Sequence, residues 1–504
     1  MTLPAVRFIF LSTEEKMDMK IKFNFYSLRY LCPALVIIFG LIAIIATGGG
    51  NNRGGKNIDL GPCDVDGWWE GIQNCPSTIE STPLDGNPRN FITFDNKLIF
   101  VADKGCGTNV QSTIFELDET GNIKDIFDLS DSLLEGSLYI DKQIIINDIY
   151  YFISGEFLYE YDGVNPPQKI FSDADYQQLM SYNNKLYFNC CDSDWNHNDP
   201  NSCRLYSYDQ ASPPVLIGSS DGIAINSDIN YIVYNDRLYF LGDSSETKPY
   251  SGLWCYNENT NELRMITNDI FIFNFVIFQD KLFFGGNDSI NGGELWMIDG
   301  ENPPVKITNL PKIEYGDSEI EPLIIPVAVF QGNLLCAVEE TAGFRFWEYD
   351  GTNPINPLPV EDPYSFYYSF FDYNLYCCLL NNHFYFSTTN GIWGYDGINP
   401  PVKITASDSY NISSMFIDNG KLFWVTLGEV YVYDGISEPE VLFEVGDIGP
   451  DSVSCIYAYN SNYYATGYES ETYGHELWKI DNTGEISLVE DFYQGVYWWC
   501  DTGD

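Results

Sequence analysis

Residues 281–308 read KLFFGGNDSINGGELWMIDGENPPVKIT, and near-copies of this stretch recur along the 504-residue chain. Its opening alternates a buried-type residue with its neighbours in the way a pleated strand requires. A second apolar run, ELWMID, ends in Asp-Gly, and Asn-Pro-Pro then separates it from the β-branched VKIT. Gly accepts positive φ, whereas Pro fixes φ and ends strand pairing, so these dipeptides mark turns.

Aligning this stretch against the chain finds nine units. Their openings, read as first strands, include FDNKLIFVA (94–102), YNNKLYFNC (182–190), YNDRLYFLG (234–242), FQDKLFFGG (278–286), LNNHFYFST (380–388) and YNSNYYATG (459–467). Second strands follow in LYEYDG (158–163), FWEYDG (346–351), IWGYDG (392–397), VYVYDG (430–435) and LWKIDN (477–482). The third is short, as in VKIT at 305–308 and 402–405. The spacing averages about 46 residues, the size of one propeller blade. No segment after residue 60 carries a helical period. The expected fold is therefore all-β, a single β-propeller of eight or nine blades over residues 89–495. Residues 48–88 form a Gly-rich linker and Cys-containing lead-in, and 496–504 form a tail. The Trp-rich stretches GWWEG (67–71) and GVYWWC (495–500) flank the repeats, and either one or the other is expected to help close the ring, with 485–500 beside the first unit.

Residues 1–47 have a different character. LCPALVIIFGLIAIIA (31–46) follows Lys20, Lys22 and Arg29 and precedes small polar residues, the pattern of an export signal or membrane anchor. It is shorter than the ~17–25 residues of an unaided span. The remaining chain is expected outside the cytoplasm, secreted or held at the cell surface or periplasmic side, touching membrane only through an uncleaved anchor. That part carries 20 basic and 69 acidic residues, a net charge of −49. Such a surface repels polyanions, so nucleic acid is not an expected partner.

Glu-Leu-Trp in GGELWMIDG (292–300) and GHELWKID (474–481), with FWEYDGT (346–352) as a looser copy, resembles the bacterial ELWxxDGT repeat. The resemblance spans roughly residues 91–490 and implies an exported propeller. KLFFGG followed by ELWMID also resembles, more weakly, the kelch repeat. Neither resemblance implies a particular reaction.

The chemistry-bearing residues are few. Asp192, Asp194, Asn196 and Asn198 in CDSDWNHNDPN (191–201) alternate like the oxygen ligands of a calcium loop, which predicts a Ca²⁺ site. His197 stands where that loop needs Gly, and Cys203 where it ends in Glu, so the site is partial. Twelve of 13 cysteines follow the apolar run, and export permits disulfides, with Cys63–Cys75 and Cys203 to Cys190 or Cys191 expected. The vicinal pairs Cys190–Cys191 and Cys377–Cys378 should point to opposite faces of strands. Trp254, Trp296, Trp347, Trp393 and Trp478 share one repeat position, as expected of packing residues. Glu294 and Glu476 also share one. HExxH and the phosphate-binding Gly loop do not occur in the sequence. The leading expectation is a binding or interaction scaffold whose loops 190–204 and 242–252 form a recognition face for a protein or glycan. The alternative is an extracellular carbohydrate- or lactone-processing enzyme using carboxylates in the channel.

Overall fold

The computed structural model describes residues 79–500 except 84–85, 107–108, 130–139, 156, 173–174, 192–202, 218–223, 226–230, 244–251, 289–291, 316–317, 342, 359–375, 389–390, 406–411, 413, 427–428, 445–451, 470–473, 482 and 493–495. Every regular element among them is a strand. Nine antiparallel sheets follow one another, with strands in chain order inside each. They span 89–128, 140–172, 175–216, 224–267, 270–306, 324–357, 377–403, 414–444 and 452–490, and are numbered here as blades 1 to 9. In blade 4 the first strand is interrupted, so Ala224–Ile225 and Ile232–Tyr234 both pair with Arg237–Asp243. First strands of successive blades face one another around the axis, and that of blade 9, Ser452–Tyr459, meets that of blade 1, Arg89–Phe94. The ring is a nine-bladed β-propeller.

Each blade has four strands, one more than the repeat suggested. The segments read as first strands begin with the last residue of an earlier strand. A two-residue turn and then the second strand follow. In blade 5 the innermost strand Ile270–Phe278 precedes the turn Gln279-Asp280, and Lys281–Asp288 is second. Both turn residues have positive φ in all nine blades, from Asp95 (50°) and Asn96 (56°) to Asn460 (49°) and Ser461 (60°). This is the turn whose twist matches paired strands, and Asn, Asp and Gly adopt it at least cost. The innermost strands, such as RNFITF, IDKQIII and IIPVAVF, share no motif.

The core lies between blades. Alternate residues of one strand face opposite neighbours, so both sheet faces are apolar. In blade 1, Leu98, Phe100 and Ala102 pack toward blade 9, while Ile99 and Val101 pack toward Tyr150 and Phe152 of blade 2. Between blades 6 and 7, Phe346 meets Phe384 and Phe386 at 5.1 and 4.7 Å. Burying each such ring contributes about 1.5–3 kcal/mol. Phe492, just past the last strand of blade 9, packs on Phe100 and Phe115 of blade 1 at 5.6 and 4.7 Å. The expected adjacency of 485–500 to the first unit is thus met at Phe492. Val496–Cys500 pairs with the lead-in strand Ile79–Pro83. GWWEG, the Gly-rich linker and the apolar run lie outside the described residues.

Candidate functional site

Two faces of the ring have to be told apart. One carries the turns between first and second strands and those between third and fourth. The other carries the longer second-to-third loops, including 190–204 and 242–252. With YNNKLYFNC and YNDRLYFLG taken as first strands these loops would join first to second, but the extra inner strand makes them follow the second. Most of their residues, with Asp192, Asp194, Asn196 and Asn198, lie outside the described residues. The base of the first loop is described: Cys191 stands opposite Cys203 in register and Cys190 opposite Arg204. Cys190 is buried in the core between blades 2 and 3. Cys63 and Cys75 lie outside the described residues.

The turn face is built on aspartates. Asp396 accepts hydrogen bonds from Ile398 N (2.8 Å), Asn399 N (2.7 Å) and Asn399 Nδ2 (2.7 Å). Asp162, Asp350 and Asp434 hold their turns in the same way. The following glycines sit at positive φ, as at Gly163 (82°) and Gly397 (82°). The donated hydrogen bonds, first that of the Asn399 side chain, lower the Asp396 carboxyl from 3.8 to about 2. Those around Asp350 lower its pKa as well, led by the Asn353 N–H. These acids are therefore ionised at neutral pH.

Adjacent blades are tied through the same turns. Gln279 Nε2 of blade 5 donates to Asp350 O of blade 6 at 3.0 Å, and Gln331 Nε2 to Asp396 O of blade 7 at 2.5 Å. Asn460 Nδ2 of blade 9 donates to Glu119 O of blade 1 at 3.2 Å, which carries the pattern across the closure. Third-strand tyrosines reach back to the previous blade: Tyr208 OH to Glu160 (3.0 Å) and Tyr395 OH to Glu348 (3.2 Å).

The shared tryptophans are packing residues. Trp254, Trp296 and Trp478 donate their indole N–H to Gly242 O, Gly286 O and Gly467 O at 3.1, 3.2 and 3.1 Å. Trp347 and Trp393 bond to Glu340 and Thr388. Glu294 and Glu476 are fully buried and serve backbone. Glu294 accepts from Thr308 Oγ1 (2.5 Å) and Leu310 N (3.1 Å); Glu476 accepts from Gly86 N (2.9 Å) and Phe492 N (3.0 Å). Cys377 and Cys378 pack into different interblade cores, one with blade 6 and one with blade 8, as alternation predicts. Burial pushes their thiols up to about 11 and about 12, so neither is an activated nucleophile. Among the described residues no group of three or more His, Cys, Asp or Glu could hold a metal, and no helix is long and apolar enough to cross a membrane.

No family model matches the chain, and no curated protein matches it. Solved structures do. One comes from a study of two prolyl endopeptidases (8% identity, TM-score 0.39), covering 71% of this chain and 55% of that one. A puromycin-hydrolyzing peptidase of Mycobacterium tuberculosis matches at 10% identity and TM-score 0.38, covering 70% and 53%. The extracellular domain of the putative one component system BT4673 from B. thetaiotaomicron matches at 11% and 0.31, covering 81% and 67%. The chain spans about half the length of the two peptidase structures.

Proposed function

We propose that this protein is an exported or surface-held propeller that works as a binding scaffold, a member of the ELWxxDGT-type repeats. The observation that carries this reading is how the recurrent polar residues are used. The repeated Asp, Glu and Trp side chains are bonded to turns, backbone and neighbouring blades, so they build the ring. Recognition then falls to residues that differ between blades, on loops held by a rigid frame. The test is a glycan array and an array of extracellular protein domains probed with the purified protein, alongside turnover assays on glycosides and lactones. Saturable binding without turnover is expected. Turnover abolished by substituting one channel carboxylate would replace the scaffold with an enzyme.

Weak calcium binding at Asp192, Asp194, Asn196 and Asn198 belongs to the same proposal, with a dissociation constant on the order of 10⁻⁴–10⁻³ M. Calorimetry of Asp192→Ala, Asp194→Ala against the wild type checks it, and identical isotherms refute it. For the disulfide, the register of Cys191 with Cys203 supports that pairing over Cys190. Non-reducing peptide mapping of protein secreted by its native host should recover the linked peptide.

A further inference from the structure

One rung of the propeller is chemically out of place. The residue just before the last of each innermost strand occupies the same ladder position in every blade. It pairs with the second residue of the second strand, as Ile277 does with Leu282 and Val329 with Leu334. In blades 4 to 8 this position holds Val233, Ile277, Val329, Leu379 and Ile417, each 37–46% exposed. This rung lies one residue before the first-to-second turn, so the five partly exposed side chains stand at the turn-face end of the innermost strands. Five consecutive blades thus present an unbroken aliphatic arc. The rung turns small or polar at Ala458, Thr93 and Ser181 of blades 9, 1 and 3, and Ile145 of blade 2, 36% exposed, stands alone between the last two. Partly exposed aliphatics at one rung of five neighbouring blades offer an apolar surface for a partner to cover.

The arc is bordered by negative charge. The turns beside it carry the exposed Asp236 and Asp280, and behind them stand Asp299, Glu301, Asp350 and Asp434, also exposed. Of the basic residues at these turns, Arg237 bonds to Glu301, Lys281 lies 3.4 Å from Asp299 and Lys421 of blade 8 is exposed, so the six acids outnumber these three bases. An anionic partner, or the like-charged surface of a second copy, is repelled here. A cationic one is attracted.

We propose that the channel mouth over blades 4 to 8 docks a protein segment that presents an aliphatic or aromatic tip flanked by Lys or Arg. The tip covers the arc and the basic flanks meet the aspartate turns. This rests on the scaffold reading and moves its recognition face from the second-to-third loops to the opposite face.

The probe is a labelled 12-residue peptide with a central Leu-Phe-Leu between Lys-Arg pairs and Gly-Ser spacers. Two controls replace Leu-Phe-Leu by Gly or Lys-Arg by Glu. Binding to the full chain is followed by fluorescence anisotropy at about 0.15 M salt, where the Debye length is ≈ 8 Å and diffuse attraction is screened. The parent peptide should bind saturably and at least tenfold more tightly than either control. Ile277→Thr, Val329→Thr, Leu379→Thr should weaken it at least tenfold, with near-UV circular dichroism unchanged. Val215→Thr, Val305→Thr, Val402→Thr, exposed aliphatics of the outer strands, should leave it unaltered. A photo-crosslinking Phe analogue should label the turns of blades 4 to 8. Equal binding of the Gly control, indifference to the arc variant, or no saturable binding overturns the proposal. Crosslinks on the second-to-third loops would also overturn it while leaving the scaffold reading standing. Crosslinks between two copies at this rung would reassign the arc to self-association.

Discussion

Blade 5 and blade 9 are the two units that keep Glu-Leu-Trp, and they use the same glutamate differently. In blade 5, Glu294 turns onto its own blade, where the Thr308 hydroxyl and Leu310 N–H satisfy it. In blade 9 the position of Thr308 is taken by Glu490. Glu476 instead bridges Phe492 N and Gly86 N, 390 residues apart in sequence from the latter. One repeat residue is a local brace in the middle of the chain and a latch where its ends meet. The lead-in to blade 1 mimics an ordinary blade connection. Gly86 O accepts from Asp103 N just as Leu323 O accepts from Glu339 N before blade 6. Asn87 N donates to His475 O, and the Thr466 hydroxyl donates to Pro88 O. The closure therefore reproduces, without a covalent connection, the contacts that consecutive blades make along the chain.

If that comparison is right, the strongest perturbation should be Phe492→Ala. It empties the aromatic seam between blades 9 and 1 and should cost about 3–5 kcal/mol. Hydrogen exchange should show protection lost first in those two blades. Uniform loss around the ring would mean the closure is no weaker than any other junction. Glu476→Ala comes next, because it leaves two buried N–H groups without their acceptor, at about 1–3 kcal/mol each. Glu294→Ala should lower the urea midpoint less, since it leaves one backbone N–H, that of Leu310, without its acceptor, and the freed Thr308 hydroxyl can rotate. Equal midpoints would erase the distinction between brace and latch.

Gly86→Ala should be milder, about 1–3 kcal/mol of overpacking. A Cβ there would overlap the Glu476 carboxylate, so the double substitution with Glu476→Ala should be less than additive. Additivity would separate Gly86 from the latch. Asp396→Ala is expected to have the smallest effect, and its pH dependence identifies it. The folded carboxyl is lowered to about 2, so its stabilisation is complete above the ordinary value of 3.8 and lost as pH falls through about 2. The Tm gap between wild type and variant should be constant at neutral pH and close across that window. A gap that persisted at about pH 1.5 would show that the side chain acts through packing.

The sequence by itself determined the repeat, its period and the chemistry of its turns. Asn-Asp, Asn-Asn and Asp-Gly are local signals, because positive φ is a property of one or two residues. The second and third strands were legible for a related reason: they are buried on both faces by every neighbour, so each blade needs the same large apolar residues there. The innermost strands face the channel and each other, where no common partner imposes a common residue. They are therefore not legible in the repeat, and neither are the true order of strands and the side of the ring on which the long loops lie. Only the tertiary structure showed that Glu294 and Glu476, which share Glu-Leu-Trp, are brace and latch. Both accept from the N–H sixteen residues on, and the difference is the second donor, the Thr308 hydroxyl in one case and Gly86 N from the far end of the chain in the other. The aliphatic arc was hidden in the same way. Val233, Ile277, Val329, Leu379 and Ile417 lie about 40 to 50 residues apart in sequence and become one surface only when the ring closes.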